Sequence, residues 1–316
     1  MKYQENRKIT TDYNFLGYPI LQSIKYKNTS KFDFILLCQH GFKSEKFIEH
    51  FPHYISSLKN YSWDTISRYL DLEHDFAARS LAISLAKKLS TKFNVLLLVV
   101  NCDRGIMDAN RLSDHCISSV IQKTASSDTI IELQNLNKFI REQISDILNK
   151  HLHPGGYILD VHSMWPFTMN IPNSKKNNLD DFSKSFMLAN HLGKRRNLNF
   201  IVHQDNGEAI ADKEIASFIE RELTSNKYPV QYDEPFSMDS IRSNYQYFKS
   251  YRGIAFDVPR DFLGKRQSKN PLDFSFMIED KRMIDNLSHT IASGIIKLKS
   301  QQELGLAKLS DETISA

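Results

Sequence analysis

The feature that most constrains this chain is a series of short apolar runs, each ending in polar residues and separated from the next by a stretch with helical periodicity. Phe34–Cys38 (FILLC) leads straight into Gln39-His40-Gly41. Val95–Val100 (VLLLVV) is the second run; Tyr157–Val161 (YILDV) and Ile254–Val258 (IAFDV), ahead of Pro259, are further strands, each apolar but for one aspartate. Continuous apolar runs of this length are expected for strands buried on both faces. Between the first two, Ala78, Leu81, Ala82, Leu85, Ala86 and Leu89 repeat at helical spacing, with Asp75 placed to cap the helix. Ile131, Leu133, Leu136, Phe139, Ile140, Ile144, Ile147 and Leu148 mark a second long amphipathic helix, stopped by the Pro154-Gly155-Gly156 breaker. Helices are further expected over Ser183–Leu192, Ala211–Leu223 and about Asp280 to Leu298, and a strand over Phe200–His203. The tail from Ser300 is weakly apolar and is expected to fray.

Strands alternating with helices predict an α/β fold: a mixed, mostly parallel sheet flanked by helices on both faces, with ligand sites beyond the carboxyl ends of the strands. The 316 residues show no internal repeat and no Pro-, Gly- or Ser-rich linker, so a single domain spanning 1–316 is expected. The 41 basic and 37 acidic residues are interspersed, which argues against a nucleic-acid partner. Cys38, Cys102 and Cys116 form an odd, sparse set without paired spacing, as in a reducing compartment. The N-terminal MKYQENRKITTDYNF lacks the apolar run of a secretory signal, and Asn94–Val100 is far short of the ~20 residues a membrane span takes. A cytoplasmic protein with no membrane partner is the expectation; its oligomeric state leaves no trace in the sequence.

Two histidines stand just past apolar runs, His40 after FILLC and His162 in YILDVHSM. Glu45 follows His40 at a distance that a turn at Gly41 would close. Two imidazoles and a carboxylate, with a position left for water, form a catalytic zinc arrangement. From the residues alone, a histidine at a strand end is more often a hydrogen-bonded structural residue than a ligand. Asp160 shares a strand face with His162 and either orients a group behind the site or caps a neighbouring backbone.

Four segments, in order, resemble the N-formylglutamate amidohydrolase family, which has a zinc-carboxypeptidase-like (phosphorylase/hydrolase-like) fold and is similar to phage poly-γ-glutamate hydrolases. QHGFKSE resembles the superfamily's His-Gly segment, with the His-to-Glu spacing of the poly-γ-glutamate hydrolases, and implies His40 and Glu45 as zinc ligands. NCDRGIMDANR resembles the family's Arg…Asp-x-Asn-Arg stretch; this implies that Asn110 and Arg111 grip a substrate carboxylate and that Arg104 polarises the scissile carbonyl. ILDVHSM resembles Asp-x-His-Ser-Met and implies His162 as the last ligand. GIAFDVPRDFLG resembles the late strand that carries a glutamate base before an Arg; here Asp257 holds that place, one methylene shorter, with Arg260 behind it.

The resemblance thus implies a Zn2+-dependent amidohydrolase that cleaves an amide or formamide bond in a small acidic substrate such as an N-formyl or N-acyl amino acid, with Asp257 handling the proton. Two other outcomes stay open at this level. One is a γ-glutamyl or peptide hydrolase on the same site. The other is a catalytically inactive zinc-binding protein, suggested by aspartate at the place of the glutamate. Residues 1–30 and 168–250, the latter including Arg242, Tyr245 and Tyr247, are candidates for a pocket wall.

Overall fold

The four segments read as buried strands all become central strands. In the computed structural model, which describes residues 8–41, 45–168, 179, 193–267 and 277–314, they are β3 (Phe32–Cys38), β4 (Val95–Val100), β5 (Leu152–Met164) and β8 (Gly253–Pro259). They lie side by side as β4-β3-β5-β8, all parallel. Among the described residues the sheet has eight strands, ordered β1-β2-β4-β3-β5-β8-β6-β7. An antiparallel hairpin of β1 (Ile9–Phe15) and β2 (Tyr18–Lys25) joins through β4; on the other side β6 (Leu198–Ile201) runs antiparallel to β8 and parallel to β7 (Val230–Tyr232).

Because successive strand residues point to opposite faces, each run supplies two cores. Phe34, Leu36, Cys38, Leu97, Val99, Leu159 and Val161 face α3 (Ala78–Leu89), α6 (Lys213–Ser225) and α8 (Lys281–Ile314). Ile35, Leu37, Leu96, Leu98, Val100 and Ile158 face α1 (Glu45–His50), α2 (Trp63–Glu73), α4 (Ser119–Thr124), α5 (Ser127–His151) and α7 (Ser243–Ser250). Every residue of β4 is buried, which explains why that run has no polar position. Helices therefore cover both faces, as the alternation of elements predicts.

Several local expectations shift. Asp75 does not cap α3: the helix begins behind Ala77, which is left-handed and makes no side-chain cap, and the Asp75 carboxylate is drawn elsewhere. The Pro-Gly-Gly breaker ends α5 but lies inside β5, where Gly155 adopts φ +76° and the pairing with β3 shifts register, from Phe32 opposite Leu152 to Phe34 opposite Tyr157. The strand expected at Phe200–His203 is shifted to Leu198–Ile201. The expected helix at Ala211 starts at Lys213, capped by Asp212, whose carboxylate accepts from the amides of Glu214 and Ile215. The closing helix continues to Ile314, past the Leu298 where its apolar repeat ends. The helix expected over Ser183–Leu192, with His191, lies outside the described residues.

Parallel pairing brings the carboxyl ends of β3, β4, β5 and β8 to one edge, so Gln39-His40, Asn101–Arg104, His162-Ser163 and Asp257–Arg260 emerge together. At the exit of β3 the chain passes under the start of α3. A Cβ on Gly41 would lie 2.5 Å from the Arg79 amide nitrogen and 2.7 Å from Cys38 Sγ. Glycine is required there by space, and it fixes where His40 stands. The cysteines are buried and unpaired. Among the described residues no helix is long and apolar enough to cross a membrane.

Candidate functional site

His40 and His162, 122 positions apart in the chain, meet at the strand exits with ring centroids 5.0 Å apart. The carboxylate that joins them is Asp75, which follows α2. Its Oδ2 lies 3.1 Å from His162 Nδ1 and 3.5 Å from His40 Nδ1, and it also accepts from the Ser163 amide at 3.3 Å. All three side chains are buried, and one ligand atom from each falls within 4.8 Å of the others. Glu45 is not part of this group. It opens α1, a helix that buries Phe47 and Ile48 and thereby turns Glu45 to solvent, and it does not line the cavity.

Each histidine also has a carboxylate on its outer side. His40 Nε2 lies 2.7 Å from Asp108 Oδ1 in a hydrogen bond, which leaves Nδ1 facing inward without a hydrogen-bond partner. His162 Nε2 lies 2.9 Å from Asp160 Oδ2 but out of line for a hydrogen bond. Asp160 is held by Asn244 Nδ2 at 2.8 Å and by Gln39 Nε2 at 3.3 Å. Of the two sequence readings of Asp160, the described contacts match the one that places it behind His162.

Charge explains why these buried carboxylates stay ionised. Burial alone would raise Asp75, but Arg104, whose Nη1 donates to Asp75 Oδ1 at 2.7 Å, and the His40 ring hold it well below the usual carboxylate range. Asp108 is likewise lowered against its burial by His40, Arg104 and Arg111. His162 would be pushed down by burial; Asp160 and Asp75 instead hold it well above an ordinary imidazole. Asp257 goes the other way. Desolvation dominates there and raises it, with His162 only partly opposing.

The cluster opens into a cavity of about 480 Å³ whose walls include Arg104, Arg111, Arg196, Arg242 and Arg260 together with Glu73, Asp108 and Asp257. Asp257, on β8, pairs in register with His162 on β5, which sets it beside the cluster. Asn110 also lines the cavity; its Oδ1 accepts from Ser243 Oγ at 3.0 Å and from the Asn244 amide at 3.1 Å, at the start of α7. Arg111 approaches Asp108 Oδ2 at 3.7 Å and Asp239 at 3.8 Å, loose contacts that leave it on the cavity wall.

The structure thus gathers Arg104, Asn110, Arg111, Asp257, His40 and His162 around one cavity and leaves Glu45 out. Residues that sequence reasoning did not assign to the site are Asp75, Asp108, Glu73, Arg196 and Arg260; Arg242, noted for a pocket wall, does line it. Asp108 stood within a quoted motif, and its place two residues before Asn110 was the available signal. Asp75 gave a misleading one, since aspartate before an amphipathic helix reads first as a cap.

The fold and the cluster define an α/β protein with a candidate metal centre at the carboxyl edge of a parallel sheet. No protein-family profile matches the sequence, and no curated protein does. Solved structures do. A gene product of Agrobacterium tumefaciens superposes with a TM-score of 0.58 at 12% identity, over 90% of this chain and 96% of its own. The N-formylglutamate amidohydrolase of Ralstonia eutropha JMP134 superposes with a TM-score of 0.50 at 12% identity, over 85% of this chain and 96% of its own. At this identity the likeness is one of fold.

Proposed function

We propose that this chain is a zinc-dependent amidohydrolase that cleaves the amide or formamide bond of a small acidic substrate such as an N-formyl or N-acyl amino acid. The observation that carries the reading is the buried His40–Asp75–His162 cluster at the wall of an arginine-lined cavity, beside a buried Asp257. The donors suit zinc: two imidazoles and a carboxylate match a common catalytic set, and the inward His40 Nδ1 has no hydrogen-bond partner. An ion held there supplies positive charge that polarises a carbonyl and acidifies water.

The protein's own groups complete the chemistry. Asp108 fixes how the His40 ring points, and Asp160 sets its negative charge against His162 Nε2. Arg104 balances the charge of Asp75 and keeps an edge on the cavity, where it meets the scissile carbonyl oxygen. Arg111 offers a planar fork to a substrate carboxylate, with Asn110 held beside it by the start of α7. Asp257, raised by desolvation, takes a proton from the attacking water and returns it to the departing amine. The Ralstonia eutropha neighbour, an N-formylglutamate amidohydrolase, is in keeping with this reaction class.

The test is metal content together with turnover. Protein purified without chelators should carry about one zinc per chain and release formate from N-formylglutamate. Asp257→Asn should keep the zinc and lose roughly 100-fold or more in rate. Metal-free, well-folded wild-type protein would sink the zinc reading, and zinc without turnover of any N-acylated acidic amino acid would sink the substrate.

A further inference from the structure

Arg260 is a buried cation in an unusual setting. It is 3% exposed, and among the described residues no carboxylate stands at ion-pair distance from it. Its terminal nitrogens donate to main-chain carbonyls at the end of α2, Nη1 to Asp71 O at 3.3 Å and Nη2 to Leu72 O at 3.1 Å and to His74 O, while Nε has no hydrogen-bond partner among the described residues. The last carbonyls of a helix lack intrahelical partners and carry the negative end of its dipole, so a guanidinium fork satisfies several at once. The same guanidinium lies 3.8 Å above the Trp165 ring, and Trp165 Nε1 donates to Leu72 O at 2.9 Å.

Chain positions give this contact its meaning. Arg260 is the first residue after β8, which carries Asp257, and Trp165 the first after β5, which carries His162. Their stack joins the two strand ends, and both side chains grip the end of α2. His74 then turns the backbone to an extended conformation (φ −67°, ψ 141°), and the next residue is Asp75. We infer that Arg260 is the positioning residue of the metal centre: stacked on Trp165, it locks the end of α2 so that Asp75 reaches both His40 and His162. The inference rests on the metal-binding reading above. Lysine would keep the charge but could neither serve three carbonyls from one plane nor stack on the indole.

Zinc affinity, measured by competition with a chromogenic chelator, tests this in wild type, Arg260→Lys, Arg260→Met and Trp165→Phe, and in each arginine variant combined with Asp75→Asn. Both arginine variants should bind zinc about 10- to 100-fold more weakly while melting as folded proteins, and Trp165→Phe should lose less in the same direction. In the Asp75→Asn background, replacing Arg260 should cause no further loss, because both changes act through one ligand. Wild-type affinity in Arg260→Lys, or a full additional loss in the Asp75→Asn background, overturns the inference. Should wild type itself hold no zinc, the metal reading fails and the clamp is read from a metal-free crystal structure of Arg260→Lys. Asp75 displaced from His162 Nδ1 and the Ser163 amide supports the clamp; Asp75 unmoved refutes it.

Discussion

Two of the strand-end histidines, His162 and His203, each meet an aspartate, and only one of these two pairs belongs to the cavity. His162, at the end of β5, lies 3.1 Å from Asp75; His203, just past β6, lies 2.6 Å from Asp233. Asp233 is fully occupied by local work, since its other oxygen accepts from the amides of Val202 and His203. That pair is 30% and 17% exposed, whereas His162 and Asp75 are almost wholly buried. Strand direction accounts for the difference. β6 runs antiparallel to β8, with Asn199 beside Asp257 and Ile201 beside Ala255, so the chain leaves His203 at the edge away from the cavity. A histidine after an apolar run becomes part of a site only where parallel neighbours deliver their own polar residues to the same edge.

The comparison breaks or holds first on metal binding. His162→Ala should weaken zinc binding on the order of a thousandfold, and His203→Ala should leave it within error, as measured by chelator competition. Equal losses would show that the two histidines are not separated by topology as described. A smaller effect separates the two supporting carboxylates. Asp108→Ala removes the acceptor that fixes the His40 ring and should cost roughly 10- to 100-fold in zinc affinity, whereas Asp233→Ala should cost none.

Smaller still, per unit of pH, is the proton effect at His162. Its folded pKa is raised, so in the metal-free protein it contributes stability that is fully present below the unfolded value near ~6.5 and is lost as pH rises through the folded one. Zinc must displace that proton, so apparent affinity should climb about tenfold per pH unit until the folded pKa is passed. Asp75, depressed, acts in another window: its stabilisation is present above the unfolded value near ~3.9 and disappears as pH falls through the folded one. Metal-free melting temperatures that rise between neutral and alkaline pH would contradict the charge assignment at His162.

Much of the core was legible in the sequence, because burial on both faces of a parallel strand leaves a run with almost no polar residue, as in VLLLVV. The amphipathic faces of α3 and α5 were legible for the same reason, one side chain in every turn having to meet the sheet. The β1–β2 hairpin and α2 were not read at all. ITTDYNF is an edge strand, mostly exposed, and carries no apolar run; α2 buries only Ile66, Tyr69, Leu70 and Leu72 within a polar stretch.

For the site, the sequence by itself determined which residues stand at strand ends, and so supplied His40 and His162 through patterns that local burial enforces, while Asp257 came through the resemblance to a known family. Only the tertiary structure decided which carboxylate completes the pair. Glu45, five positions from His40, belongs to a helix whose apolar face turns it outward. Asp75, 35 positions away in the chain, is brought in by Arg104 and by the end of α2, which Arg260 and Trp165 hold in place. Proximity along a chain is set by covalent bonds, but the meeting of donors is set by packing between elements, and that information is spread over residues no local pattern connects.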